Sequence, residues 1–110
     1  MEATAMRYWR DLDEIKTANR VRGHHFFEAS TMRFFRSRVL AGVIGGRYFI
    51  TSEQFRGSGG YVAPRAYTVR ECLPDGECRT VGEFQAYGSP RQARTAAAKL
   101  PAAQPEGGAA

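Results

Sequence analysis

Apolar residues recur every three or four positions over residues 4–20, at Ala5, Tyr8, Leu12 and Ile15 with Trp9 beside them, which is the spacing of an amphipathic helix. On its polar side Arg7 with Asp11 and Arg10 with Glu14 stand four apart, pairs worth about 0.2–0.5 kcal/mol each. Gly23 predicts the stop, because glycine enters the left-handed C-terminal cap without strain. A short second helix is predicted over residues 31–37, capped by Ser30, with Met32, Phe34 and Phe35 as its apolar content. Phe34 or Phe35 is expected in the core.

The period then changes. Residues 45–55 enter through Gly45 and Gly46 and continue as Arg47-Tyr48-Phe49-Ile50-Thr51, β-branched and aromatic, and predict the first and most central strand of an antiparallel sheet. Residues 56–60, with three glycines among them, predict an exposed mobile loop. Over residues 65–73 the alternation puts Tyr67, Val69 and Leu73 on one face and Thr68, Arg70 and Cys72 on the other. Pro74, Asp75 and Gly76 form a tight turn, and a third strand over residues 78–85 pairs back. Ser89-Pro90-Arg91-Gln92 reads as a capping box that opens a helix with Ala93, Ala96, Ala97 and Leu100 on its buried stripe. Pro101 closes that helix, and residues 101–110, too small to bury anything, predict a disordered tail.

The expected fold is therefore one α+β domain over residues 1–100 in the order α-α-β-β-β-α. It has a three-stranded antiparallel sheet, the N-terminal and C-terminal helices on one face, and an arginine-bearing face left open. At 110 residues and 43% hydrophobic content the chain suffices for one core without metal or disulfide support. No run approaches the length of a membrane span and no signal peptide is visible, so the expected location is the cytoplasm.

Charge adds a partner to this picture. Of 16 basic residues 14 are arginine, and between Arg20 and Arg70 nine arginines stand against Glu28 and Glu53, a local excess of +7. Arginine forms bidentate contacts to phosphate and carboxylate, although a GC-rich genome also writes arginine in place of lysine. Arg33-Phe34-Phe35-Arg36-Ser37-Arg38 interleaves rings with positive charge in the manner of nucleic-acid and anionic-partner sites. The same stretch also fits a core-facing phenylalanine pair with arginines reaching outward. The candidate binding residues are Arg33, Arg36, Arg38, Arg47, Arg65 and Arg70.

Catalytic signals are weak by comparison. Cys72 and Cys78 mirror each other across the turn, close enough for a disulfide, with two free thiols the default in a reducing compartment. Zinc held with His24 and His25 is disfavoured, because adjacent histidines point apart. His24, His25 and Glu28 resemble a general-base group but lack a nucleophile motif. Gly57-Ser58-Gly59-Gly60 lacks the following helix and lysine of a phosphate loop. No enzyme activity, cofactor or metal site is predicted.

The segments Met32-Arg33-Phe34-Phe35-Arg36-Ser37-Arg38, Gly45-Gly46-Arg47-Tyr48-Phe49-Ile50-Thr51-Ser52-Glu53-Gln54-Phe55 and Tyr67-Thr68-Val69-Arg70-Glu71 resemble a family of small proteins encoded by bacteriophages and other mobile elements. The likeness spans about residues 15–100 and implies an accessory role, such as inhibition of host defence by anti-CRISPR proteins. In outline the element order is also similar to a double-stranded-RNA-binding domain. Residues 46–100, with Gly82 and Phe84 before an alanine-rich helix, resemble the three-stranded DNA-reading domains of integrases and AP2 factors. The expected function is a non-enzymatic protein of the bacterial host cytoplasm that binds and inhibits a host defence complex, protein or ribonucleoprotein, through its arginines. Direct DNA or RNA binding and a homodimeric interaction module are the alternatives.

Overall fold

The computed structural model describes residues 7–34 and 36–103. In chain order the elements are α1 (Leu12–Val21), α2 (Ala29–Phe34), β1 (Arg38–Val39), β2 (Tyr48–Glu53), β3 (Ala66–Cys72), β4 (Cys78–Val81) and α3 (Pro90–Ala98). The class is α+β, but the expected three-stranded sheet is corrected to four antiparallel strands in the order β1-β2-β3-β4. The added strand pairs Arg38 with Ser52 and Val39 with Thr51, and the Leu40 N–H extends it by donating to the Ile50 carbonyl at 2.9 Å. Two residues carry no legible alternation, so in sequence they pass for the tail of the preceding helix.

The layers are corrected as well. The outer helices lie on opposite faces of the sheet, and neither face is left open. Tyr48, Ile50 and Val69 meet Ala93 and Ala97 of α3 on one side. Phe49 and Cys72 meet Trp9 and Ile15 of the α1 region on the other, joined by Phe26 and Phe27. Every residue of β2 is buried, as in a strand covered on both sides.

Helix α1 starts later than its apolar spacing suggests. Residues 4–6 of the expected helix lie outside the described residues. Asp11, extended at φ −156° and ψ 173°, accepts the Glu14 N–H at 2.9 Å and so caps the helix at Leu12. Ahead of the cap the chain is a strap on the sheet. The Trp9 N–H donates to the Gly46 carbonyl at 2.7 Å, and its indole Nε1 donates to the Cys72 carbonyl at 3.2 Å. The Tyr8 ring fills the space a Cβ would need at Gly46, which sits at φ +65°. Arg10 pairs with Glu14 at 3.0 Å, while Arg7 turns from Asp11 to Glu14 at 3.9 Å.

Helix α2 begins at Ala29, so Ser30 lies within it rather than capping it. Phe34 does not enter the core and is 79% exposed; Phe35 lies outside the described residues. The place expected for it is taken by Phe26 and Phe27, whose ring centroids are 5.9 and 5.7 Å from that of Phe49.

The hairpin forms with Cys72 opposite Cys78, closed by Leu73 N–H to the Glu77 carbonyl at 2.8 Å. Gly76 at φ +90° takes the left-handed position, and a Cβ there would come within 2.8 Å of the Ala18 carbonyl carbon. Strand β4 ends at Val81 rather than 85, because Gly82 turns the chain at φ +76°. The chain returns to the sheet where Tyr87 and Tyr67 exchange backbone hydrogen bonds of 2.7 and 3.0 Å, so residues 82–86 form an excursion. Ser89 caps α3 by accepting the Gln92 N–H, and Ala93 and Ala97 are buried as expected. Pro101 to Ala103 lie against the sheet, with Ala103 N–H on the Gly45 carbonyl at 2.9 Å; residues 104–110 lie outside the described residues.

Candidate ligand-binding cleft

Three excursions from the sheet meet at the end of β2. Beyond Glu53 the chain continues as a narrow arm, bridged between Arg56 and Val62, whose tip is the single turn Ser58–Gly60. Phe55 and Tyr61 face each other on this arm with centroids 6.3 Å apart. Phe34 and Arg36 come from the end of α2, and Phe84 and Gln85 from the excursion after β4. Together they line a cleft of about 310 Å³, with Gln54 and the buried Glu53 completing it. Phe34, Phe55 and Phe84 are 79%, 61% and 45% exposed, large apolar residues at the surface.

Backbone strain marks the same place. Among the described residues only Arg36 (φ +50°) and Gln85 (φ +58°) are non-glycine residues in the left-handed region, and both line this cleft. That conformation costs an L-residue roughly 1–2 kcal/mol; at Arg36 it is the cap of α2, with Ser37 N–H on the Met32 carbonyl at 2.8 Å and Arg36 N–H on the Arg33 carbonyl at 3.2 Å. Part of the strain at Gln85 is offset locally, because its N–H donates to Thr68 Oγ1 at 2.8 Å.

Next to the cleft lies a polar network that belongs to the fold. Glu53 accepts from Thr68 Oγ1 at 2.9 Å and from Arg70 Nη2 at 3.0 Å. Arg70 also donates to Thr51 Oγ1 at 2.9 Å and Thr80 Oγ1 at 2.6 Å, and its guanidinium lies 5.2 Å from the Phe26 ring centroid and 5.5 Å from that of Phe84. Among the described residues no buried side-chain nitrogen or oxygen lacks a partner, as a low-dielectric interior demands.

This sorts the six expected contact arginines into two groups. Arg70 is held inside by Glu53. Arg47 is held by Glu71, which also takes Arg79 Nη2 at 2.7 Å, and donates from Nη1 to the Pro101 carbonyl at 3.0 Å. Neither is an open guanidinium. Arg33, Arg36 and Arg38 are exposed and, among the described residues, form no ion pair. Arg65 donates to Ser52 Oγ at 2.8 Å; burial, then the positive charges of Arg38 and Arg56, hold its pKa below the ordinary arginine value. Arg36, Arg38, Arg56 and Arg65 thus share one end of the sheet, and Arg33 directly precedes Phe34.

Arg56, Phe55, Phe84 and Gln85 were not among the expected contact residues. Their sequence signals are Phe55 beside Arg56 at the end of one predicted strand and Gly82 with Phe84 at the end of another, the latter part of the likeness to DNA-reading domains, and neither shows that the two strand ends meet.

The other candidates do not assemble. His24 turns to Asp75 at 3.5 Å, and His25 Nδ1 to Glu28 at 2.6 Å, on the surface. Cys72 and Cys78 are free thiols side by side; the Cys78 sulfur beside it and then burial push the Cys72 thiol well above its usual range. Among the described residues no three His, Cys, Asp or Glu side chains gather as a metal set, and no helix is long and apolar enough to cross a membrane.

The residues that build this cleft fall within a known sequence family. The chain belongs to DUF7447, a family of unknown function. The DUF7447 match covers residues 11–98, which takes in every wall of the cleft and all seven elements but not Trp9 of the strap. No curated protein and no solved structure matches the chain.

Proposed function

We propose that this protein is a non-enzymatic binding protein of a phage or other mobile element that docks on a host defence complex and blocks it, in the manner of anti-CRISPR proteins. The observation that carries the docking surface is the end of the sheet at Glu53. There Arg36 and Arg56 line a cleft with three exposed phenylalanines, and Arg38 and Arg65 stand at the same end of the sheet. Among the described residues none of the four forms an ion pair with a carboxylate. Arginine and aromatic residues dominate binding energy at interfaces, above all where a pocket can desolvate them. Unpaired positive charge steers an anionic partner onto such a surface. The mobile-element setting rests on the resemblance of the three segments quoted above.

The test is interference itself. Expressed in cells carrying an active CRISPR system, the protein is expected to restore plating of a targeted phage, and the double charge reversal Arg36→Glu with Arg56→Glu is expected to abolish the effect. Unchanged interference with the parent protein at normal expression overturns the proposal.

A further inference from the structure

Resting on the assignment of this surface as the docking site, we propose that the cleft holds one unstacked base of single-stranded nucleic acid, with the flanking phosphates on Arg36 and Arg56. The division of charge selects this occupant. Positive groups stand along the cleft at Arg36 and Arg56, and Arg38 and Arg65 continue them. The buried group in the lining is a carboxylate, Glu53, already satisfied by Thr68 and Arg70. An acidic side chain pushed into the cleft meets Glu53. A neutral planar group enters without that repulsion, and its anion stays with the guanidiniums.

Three exposed phenylalanines supply what a base requires, since every base offers a π-face to an aromatic ring. At about 310 Å³ the cleft is at the small end of ligand sites and accommodates a single ring system rather than a duplex. Among the described residues the Gln85 side-chain amide forms no hydrogen bond, so its donor and acceptor are available to a base edge. The left-handed backbone at Arg36, which caps α2, and at Gln85, which is held by Thr68, places one phosphate contact and one amide at this cleft. A duplex presents stacked bases and offers nothing to the rings.

The experiment is fluorescence anisotropy of the purified full chain with labelled oligothymidylate, an oligouridylate of equal length and a duplex of equal length, over a series of salt concentrations, with polyglutamate as competitor. Single strands are expected to bind more tightly than duplex. Two phosphate contacts give a slope of log affinity against log salt of about −1.4, twice the value of about −0.7 per single-strand contact. Phe55→Ala and Phe84→Ala are each expected to weaken binding about tenfold, within the range for loss of one stacked base. Arg36→Ala is expected to halve the slope, and Arg91→Ala on α3 to leave binding unchanged.

Duplex bound as tightly as single strand, phenylalanine variants that bind like the parent, or displacement by polyglutamate at equal charge would each overturn the inference. Displacement would assign the cleft to an acidic protein instead. Absent oligonucleotide binding with interference still blocked removes this inference and leaves the docking proposal standing. Oligonucleotide binding with interference unaffected does the reverse.

Discussion

The two faces of the sheet differ in where their buried charge sits relative to the apolar contact. Toward α3 the contact is apolar, with Tyr48, Ile50 and Val69 against Ala93 and Ala97, whose small side chains let the helix approach closely. The other face divides along its length. Near α1 it is apolar, with Phe49 and Cys72 under Trp9 and Ile15. Toward the end of β2 it turns polar, with Thr51, Glu53, Thr68 and Arg70 buried and mutually bonded. The candidate cleft opens beside that polar end. The α3 face also buries a carboxylate, Glu71 beside Tyr48, held by Arg47 and Arg79 but apart from the helix contact. The other face gives up some stability to fix Glu53 and Arg70 next to the cleft.

The contrast breaks most sharply at Glu53. Glu53→Ala strands the Arg70 guanidinium in the interior and is expected to cost about 3–5 kcal/mol in urea unfolding, the range for an uncompensated buried charge. The paired replacement Glu53→Met with Arg70→Leu is expected to recover most of that loss, because burying the pair is itself expensive. A loss below about 1 kcal/mol for the single variant would show that solvent reaches the network and that the two faces are not distinct. Under α3, Ala93→Leu adds bulk at a fully buried site and is expected to lower stability by about 1–3 kcal/mol. Were it neutral, α3 would be loosely seated.

Smaller effects sharpen the α1 side. Asp11→Ala removes the cap that separates the Trp9 strap from the helix and is expected to cost about 1 kcal/mol. The smallest effect is a pH dependence. The Arg10 N–H, its guanidinium and Arg7 hold the Glu14 carboxyl below its ordinary value of 4.5, against the opposing effect of partial burial. A depressed folded pKa contributes stability that is present above the ordinary value and lost as pH falls through the folded one. Glu14→Gln is therefore expected to be less stable than the parent by about 0.2–0.5 kcal/mol at neutral pH, a partly exposed pair. The difference should vanish in acid unfolding well below pH 4.5; one that persists there would assign the loss to packing instead.

Local chemistry was legible where one short segment carries it. The hairpin at Gly76, the Ser89 cap with Ala93 and Ala97, and the central place of β2 follow from glycine tolerance, capping and β-branched content. The start of α1 was not, because Tyr8 and Trp9 fit a helical period while their hydrogen bonds and ring contacts go to the sheet. Nor was the division of the arginines. Arg36 and Arg70 are the same side chain in similar sequence surroundings, and only the position of Glu53 across β2 and β3 separates the buried one from the open one.

The sequence by itself determined the α+β class, the arginine excess and the turns, because these depend on composition and on residues within a few positions of each other. Tertiary structure decided which helix covers which face, which guanidiniums are neutralised, and that the ends of α2, β2 and the loop after β4 meet in one cleft. Those outcomes depend on contacts between residues tens of positions apart, whose pairing is set by strand register and burial and leaves no local pattern to read.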